Sequence, residues 1–153
     1  MATTVSISVL LPVAASEITV SVGAFNAEKD PVAEVGLEVR FDQVRLFGGK
    51  SWKLIPALGI MATADGAFYG YGGVRFSVET GANWLWTTHV GAGAFERGSG
   101  FDLGGIFEWR WGFELDRRLG NGKRIGVNLF HLSNGGVHAR SPSSNSAALT
   151  YTF

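Results

Sequence analysis

Eight stretches of the sequence, each about ten residues long, alternate apolar with polar or small side chains. Successive side chains of a β-strand point to opposite faces, so such alternation predicts strands with one apolar and one polar face. The pattern is clearest between residues 105 and 116, where aromatic or aliphatic side chains alternate with charged residues and glycine. The predicted strands span residues 17–27, 34–42, 52–62, 68–78, 83–95, 105–116, 123–133 and 145–153.

Turn signals such as Asp65-Gly66 and Asn121-Gly122 separate these stretches, and no helical periodicity competes with them. The chain contains no uninterrupted apolar run of about 18 residues, which excludes a transmembrane helix. Strands of this length, even in number, are typical of proteins that cross the outer membrane as a barrel. We therefore predict an all-β fold, an eight-stranded antiparallel transmembrane β-barrel of the outer-membrane type.

The side chains that face inward distinguish this membrane barrel from the alternative, a soluble lipocalin-like barrel that hides its apolar stripe. An eight-stranded barrel has an interior just wide enough to be filled by side chains, so many large rings fit poorly inside it. We expect the rings to face lipid and the charged stripe to fill the lumen, where buried charges need partners. The rings are Trp84, Trp86, Phe107, Trp109, Trp111 and Phe113; the lumen residues are Glu38, Arg40, Asp42, Arg75, Glu108, Arg110, Glu114 and Asp116, with Glu108 and Arg110 expected to pair.

The composition excludes several other classes of protein. Thirteen basic and thirteen acidic residues give zero net charge, so bulk charge offers no basis for nucleic-acid binding. The absence of cysteine removes disulfides, zinc–thiolate sites and cysteine nucleophiles. The three histidines have no spaced carboxylate partner, so neither a metal nor another cofactor is expected.

The first residues carry a pattern that has two interpretations. Residues 5–15, VSISVLLPVAA, are similar to the apolar part and cleavage region of a secretory signal. No Lys or Arg precedes them, although a signal normally begins with a charged region. Residues 1–15 are therefore a signal-peptide remnant or leader, or else an ordered part of the mature chain. Residues 16–153 are predicted to form a single barrel domain.

The predicted strand 123–133 places His131 and Ser133 on its apolar face, together with Ile125, Val127 and Leu129. A base and a hydroxyl nucleophile on a face that meets hydrocarbon suggest chemistry performed on a lipid. Chance placement near the membrane interface is the alternative, because polar residues are cheaper there than at the midplane. His89, in contrast, lies on an inward position and is expected to form a hydrogen bond inside the barrel.

Four segments carry a resemblance to a known family: 65–71 (DGAFYGY), 107–110 (FEWR), 121–127 (NGKRIGV) and 130–136 (FHLSNGG). Together they resemble the PagL-type lipid A 3-O-deacylases, and the similarity covers most of residues 17–153. The sharpest motif is the His-x-Ser-Asn block at 131–134. The resemblance implies an eight-stranded outer-membrane barrel that hydrolyses the ester-linked acyl chain at position 3 of lipid A.

The resemblance also implies a Ser-His-Glu triad on the outside of the barrel, with Ser133 as nucleophile and His131 as general base. The acidic member corresponds to position 145, fourteen residues beyond His131, where this chain has Asn145. No Asp or Glu follows Asp116, so the triad acid is missing. The resemblance also implies oxyanion donors from the loop after the serine, for which Asn134 and the backbone N–H of Gly136 are the candidates.

The implied partner is lipid A, or lipopolysaccharide, of the outer leaflet of a Gram-negative outer membrane. With both termini on the periplasmic side, the seventh strand runs outward, so His131 and Ser133 are expected near the outer rim. Arg97, His138 and Arg140 lie in loops at that end and are candidates to bind lipopolysaccharide phosphates, unless they are merely solvated. A homodimer is left open.

The function that follows is that of a lipid A 3-O-deacylase, a serine esterase that is weak because Asn145 replaces the acid. The alternative is a catalytically impaired barrel, or a structural or lipid-binding barrel without enzymatic activity.

Overall fold

A computed structural model describes residues 15–45 and 52–153 of the chain. These residues form nine β-strands: β1 (Ala15–Phe25), β2 (Val32–Phe41), β3 (Val44–Arg45), β4 (Trp52–Thr63), β5 (Phe68–Thr80), β6 (Trp84–Glu96), β7 (Phe107–Arg118), β8 (Arg124–Ser133) and β9 (Ser143–Thr152). No helix within these ranges is long and apolar enough to cross a membrane. The proposed leader, residues 1–15, lies outside the described residues except for Ala15.

The eight long strands form a closed antiparallel barrel. Each strand pairs with its neighbour in the chain, β9 pairs with β1, and β2 pairs with β4. The remaining segment, β3, is only two residues long and pairs with the start of β4. Closure leaves no unpaired edge among the long strands, which is the condition for a sheet that crosses a lipid bilayer.

All eight predicted strands are present, and the eight-stranded barrel predicted from the alternation is confirmed. The short strand β3 was not predicted, because two residues are too few to show any alternation. We call the end where β8 finishes at Ser133 and β9 begins at Ser143 the site end. Strand β1 begins, and β9 finishes, at the opposite end.

The outer face of the barrel is apolar and aromatic, as the sequence predicts. Trp111 on β7 exposes 57% of its surface, and Leu129 on β8 exposes 52%. Trp84, Trp86, Trp109 and Phe113 are also exposed on this surface. A water-soluble monomer seldom exposes so continuous an apolar belt, whereas a transmembrane barrel requires one.

The lumen holds a closed ionic cluster, formed by Glu38, Arg40, Arg75 and Glu114 from β2, β5 and β7. Arg40 pairs with Glu38 at 2.7 Å and with Glu114 at 2.8 Å. Arg75 pairs with the same two carboxylates, at 3.0 and 2.9 Å. Two cations therefore alternate with two anions, and the charge of the cluster sums to zero. Each of these four buried charges has a partner, which is what the low dielectric constant of the interior requires.

Two predictions about the lumen are wrong, the inward position of Asp42 and the pairing of Glu108 with Arg110. Asp42 follows the last residue of β2 and is exposed, because the strand ends before its alternation can turn that side chain inward. Glu108 and Arg110 are both buried but form no ion pair among the described residues. The guanidinium of Arg110 instead lies 3.5 Å from the centre of the Phe130 ring, a cation–π contact that draws it away from Glu108.

The lumen at the site end holds an apolar cluster, which the sequence pattern does not indicate. Its buried residues are Phe25, Met61, Ala67, Tyr69, Phe95, Leu103, Phe130 and Leu132. Leu103 comes from the loop between β6 and β7, so this loop closes the barrel at that end. The hydroxyl of Tyr69 donates a hydrogen bond to the backbone oxygen of Glu108 at 2.9 Å and anchors the aromatic residues to β7. Packing in the lumen at the site end therefore supports the part of the barrel wall that carries the outward-facing residues of β7 and β8.

Replacing Glu114 by Gln should destabilise the barrel by about 3–5 kcal/mol, because Arg40 and Arg75 would lose a buried charge partner. The matched control is Glu79→Gln, since Glu79 also bridges two cations, Lys53 and Arg118, but is 41% exposed. The control should cost about 0–1 kcal/mol. Urea unfolding in detergent, followed by tryptophan fluorescence, measures both. Equal midpoints for the two variants would contradict a stabilising role for the ionic cluster.

Candidate active site

Strand β8 places His131 and Ser133 on the outer wall of the barrel, close to the site end. Both side chains are half-buried, in line with the exposed Leu129 one step earlier on the same face. On one side they face β7, where His131 is opposite Trp111 and Ser133 is opposite Trp109. On the other side they face β9, where His131 is opposite Asn145. The outward orientation predicted for the histidine and the serine is therefore observed.

His131 and Asn145 are joined by a hydrogen bond of 2.7 Å between Nδ1 of the imidazole and Oδ1 of the amide. A carbonyl oxygen only accepts, so this contact requires the proton of a neutral imidazole to be on Nδ1. The lone pair is then on Nε2, the atom a general base would use. The Trp111 ring lies 5.2 Å from the imidazole ring, centroid to centroid, and limits how far it can swing.

Ser133 is two residues beyond His131 on the same face, roughly 7 Å farther along the strand. Among the hydrogen bonds of the described residues there is none between its hydroxyl and the imidazole. Catalytic hydrogen bonds are often long in a free enzyme and shorten when substrate binds.

A groove of about 460 Å³ runs along the outer wall beside His131. Strands β7, β8 and β9 form its floor through Trp111, Phe113, Leu129 and Ala147, and Asn145 lies at its side. The turn between β1 and β2 closes one end with Ala27 and Glu28. The groove is therefore a mainly apolar channel that opens sideways, with an imidazole and a carboxylate at its polar end.

The loop after β8 uses its polar groups to hold itself together. Asn134 is fully buried, and its Nδ2 donates to the backbone oxygens of Leu103 at 3.0 Å and Arg140 at 2.8 Å. Its Oδ1 accepts from the backbone N–H of Gly136 at 3.0 Å, and that N–H is also 3.2 Å from Oγ of Ser141. Both donors expected to form an oxyanion hole are therefore engaged within the loops in this structure. Asn134 points into the barrel, because the alternation of β8 continues through it.

The loop arginines share one carboxylate. Arg97 lies 3.3 Å and Arg140 lies 3.6 Å from Oδ2 of Asp102, and both arginines are largely exposed. The pair carries one positive charge more than Asp102 neutralises, and we call these two arginines the cationic rim. His138, grouped with them in the sequence, packs against Gly105 and is half-buried, which leaves it a smaller part of the exposed surface.

The family model of lipid A 3-O-deacylase (PagL) matches residues 29–153. The chain belongs to this family. The resemblance noted from the sequence is therefore confirmed. No curated protein matches the chain.

Solved structures of transmembrane barrels have a fold similar to that of this chain, in agreement with its membership of the PagL family. The crystal structure of the outer membrane enzyme PagL is 17% identical, has a TM-score of 0.76, and the match covers 90% of this chain and 99% of that one. A barrel from the de novo design of transmembrane β-barrels is 12% identical, with a TM-score of 0.62 and coverage of 90% and 93%. The outer membrane protein Ail of Yersinia pestis is 14% identical, with a TM-score of 0.50 and coverage of 90% and 99%. At these identities the likeness shows the fold alone.

Sequence reasoning missed one charged residue of the groove. Glu28 lies in a turn, where no alternation indicates which way a side chain points, and it is distant in sequence from His131. It also precedes the residues matched by the PagL family model. Only the closure of β9 onto β1 brings it to the groove, and no local sequence signal announces that contact.

Replacing Asn134 by Ala should loosen both loops at the site end, because the backbone oxygens of Leu103 and Arg140 would lose their donor. The expected cost is about 1–3 kcal/mol of local stability. Trypsin cleavage after Arg140 should accelerate about tenfold, the rate change that corresponds to about 1.4 kcal/mol. Asn121→Ala, in an exposed turn at the opposite end, is the control and should leave that rate unchanged. An unaltered rate in Asn134→Ala would show that its amide does not hold the loops.

Proposed function

We propose that the chain is a lipid A 3-O-deacylase of the outer membrane, a serine esterase that removes the ester-linked acyl chain at position 3. In this proposal Ser133 is the nucleophile, His131 the general base and Asn145 the residue that orients the imidazole. The observation that carries it is the hydrogen bond between Nδ1 of His131 and Oδ1 of Asn145 on the outer wall, which in the neutral imidazole leaves the lone pair on Nε2. Membership of the PagL family supports the same reaction.

Each half of the reaction, acylation and deacylation, needs two proton transfers. Nε2 of His131 takes the proton of the Ser133 hydroxyl as the oxygen attacks the ester carbonyl, and a tetrahedral oxyanion forms. When the carbon–oxygen bond to the sugar breaks, the imidazolium returns the proton to the leaving 3-oxygen of lipid A. Water then attacks the acyl-serine by the same route and releases the fatty acid. Atoms and charges balance without a cofactor.

Asn145 supplies one of the two contributions that a carboxylate makes. It holds the imidazole in the tautomer that can act as a base, but it carries no charge to stabilise the imidazolium. In the serine proteases, where the amide leaves the imidazole in the wrong tautomer, the replacement lowers kcat about 10⁴-fold. The loss here should be smaller, since the amide oxygen faces Nδ1. The proposed enzyme is therefore slow.

The groove and the loops suggest how the substrate would be bound. The acyl chain would lie along the apolar floor between Trp111 and Leu129, with its ester beside His131. The cationic rim of Arg97 and Arg140 would meet a lipid A phosphate. To bind the oxyanion, the N–H of Gly136 would exchange its contacts with Asn134 and Ser141 for one with the substrate.

A second candidate is a barrel that has kept the fold and lost catalysis. The observation in its favour is the neutral amide at position 145, whose Nδ2 has no hydrogen-bond partner among the described residues. With nothing to fix it, the amide can turn over, donate to Nδ1 and leave the proton on Nε2. An imidazole in that state cannot accept the serine proton.

Mass spectrometry of lipid A separates the two candidates. Purified lipopolysaccharide incubated with the protein in detergent should lose the mass of one 3-hydroxy acyl chain, and Ser133→Ala should leave lipid A unchanged. The control is Ser143→Ala, because Ser143 pairs with Ser133 across β8 and β9 but has no part in the proposed reaction. Intact lipid A after prolonged incubation with the folded protein would favour the inactive barrel.

Replacing Asn145 by Glu should raise the rate of acyl release by about 10² to 10⁴, because a carboxylate both fixes the tautomer and stabilises the imidazolium. Asn145→Ala should lower the rate below that of the unaltered protein, since the imidazole would lose its orienting partner. The initial rate of fatty-acid release, with folding checked by circular dichroism, measures both variants. If folded Asn145→Glu were no faster, the assignment of His131, Ser133 and position 145 to one triad would be rejected.

A further inference from the structure

The turn between β1 and β2 is tied directly to the strand that carries Asn145. The backbone N–H of Ala27 donates to the backbone oxygen of Asn145 at 2.8 Å, which extends the β1–β9 pairing into the turn. Asn26, buried and in the left-handed region at φ 54°, sets the direction in which the chain leaves β1. The N–H of Lys29 bonds to the oxygen of Asn26 at 3.1 Å and completes the turn. The turn is therefore held in one place beside the groove.

Neighbouring side chains of this turn go in different directions. Glu28 lines the groove on the outer wall together with His131 and Asn145. Lys29 instead reaches the loop between β6 and β7, where its ammonium lies 5.6 Å from the centre of the Phe101 ring. Lys29, the cation next to Glu28 in the sequence, is therefore directed toward Phe101 and not along the groove. Among the described residues, Glu28 is the one acidic side chain that lines the groove.

Position 145 carries no negative charge, whereas the third residue of a Ser-His-acid triad is a carboxylate. Asn145 carries no charge, and the imidazole of His131 must become a cation during the proposed reaction. Apolar side chains and lipid surround the groove, so the field of a nearby charge is weakened less than it would be in water. A carboxylate at the end of the groove would favour the imidazolium without touching it.

We infer that Glu28 supplies the negative charge that position 145 lacks, acting through space on His131 from the β1–β2 turn. This inference rests on the proposed function and deepens it: the triad acid is divided between two residues. Asn145 orients the imidazole through a hydrogen bond, and Glu28 stabilises its charged form. In this mechanism Glu28 acts through His131, and it contacts neither the ester nor the hydroxyl of Ser133.

The test compares Glu28→Gln with Asp30→Asn, a matched loss of one exposed carboxylate from the same turn, outside the groove lining. The readout is kcat/KM for fatty-acid release from lipopolysaccharide in a neutral detergent between pH 5 and 9. Glu28→Gln should lower kcat/KM about tenfold near neutral pH and move the acid limb of the profile to lower pH, because the imidazolium is less favoured. Asp30→Asn should stay within about twofold. At about 1 M salt the difference should shrink, since charges at a distance are screened.

A second background separates action through His131 from direct action on the substrate. In Asn145→Glu the imidazole has its own carboxylate, so adding Glu28→Gln should change kcat/KM by less than about twofold. An equal loss in both backgrounds would overturn the inference, because Glu28 would then act independently of position 145. Identical profiles for Glu28→Gln and Asp30→Asn would also overturn it.

The failure of the inference and the failure of the proposed function give different results. Activity in the unaltered chain and in Asn145→Glu, with no effect of Glu28→Gln, would overturn the inference alone. Activity only in Asn145→Glu would overturn it as well, because Glu28 would have failed to replace the acid. Absence of activity in every folded variant, Asn145→Glu included, would overturn the proposed function and the inference together.

Discussion

A strand surrounded by lipid has no water to satisfy its backbone, so both of its edges must be hydrogen-bonded to other strands. This requirement closes the sheet through the pairings of β9 with β1 and of β2 with β4. Closure then fixes which side chains can meet. It puts Asn145 opposite His131, and it brings the β1–β2 turn to the edge of the groove. The proposed site is therefore a product of the barrel's closure as much as of any local motif.

The two faces of each strand lie in different environments, lipid on the outside and the packed lumen on the inside. Outside, apolar rings contact lipid and the groove, whereas inside, charges are neutralised in pairs around Arg40 and Arg75. The buried ionic cluster and the apolar residues at the site end support the wall on which His131 lies. A rigid wall matters for chemistry, because a shift of about 1 Å in a reacting group can cost about a hundredfold in rate.

Alternation predicted the strands and the shared face of His131 and Ser133, because each depends only on a period of two along the chain. The outward orientation of the rings was predicted from the narrow interior of an eight-stranded barrel. Other features depend on contacts between distant segments, and the sequence pattern did not contain them. Arg110 stacks on Phe130 rather than pairing with Glu108, since a ring on the neighbouring strand β8 competes for it. Asn134 binds the loops it joins, and Glu28 reaches the groove from the far end of the chain. Polar residues beyond the strand ends were the least predictable.

The groove opens sideways, toward the surrounding leaflet, rather than upward into solution. For the proposed deacylase, the substrate would arrive by lateral diffusion and never leave the membrane. Encounter then takes place in two dimensions, and turnover would follow the mole fraction of substrate in the leaflet rather than its bulk concentration. The released fatty acid would stay among the neighbouring lipids, so accumulated product would compete for the same apolar floor.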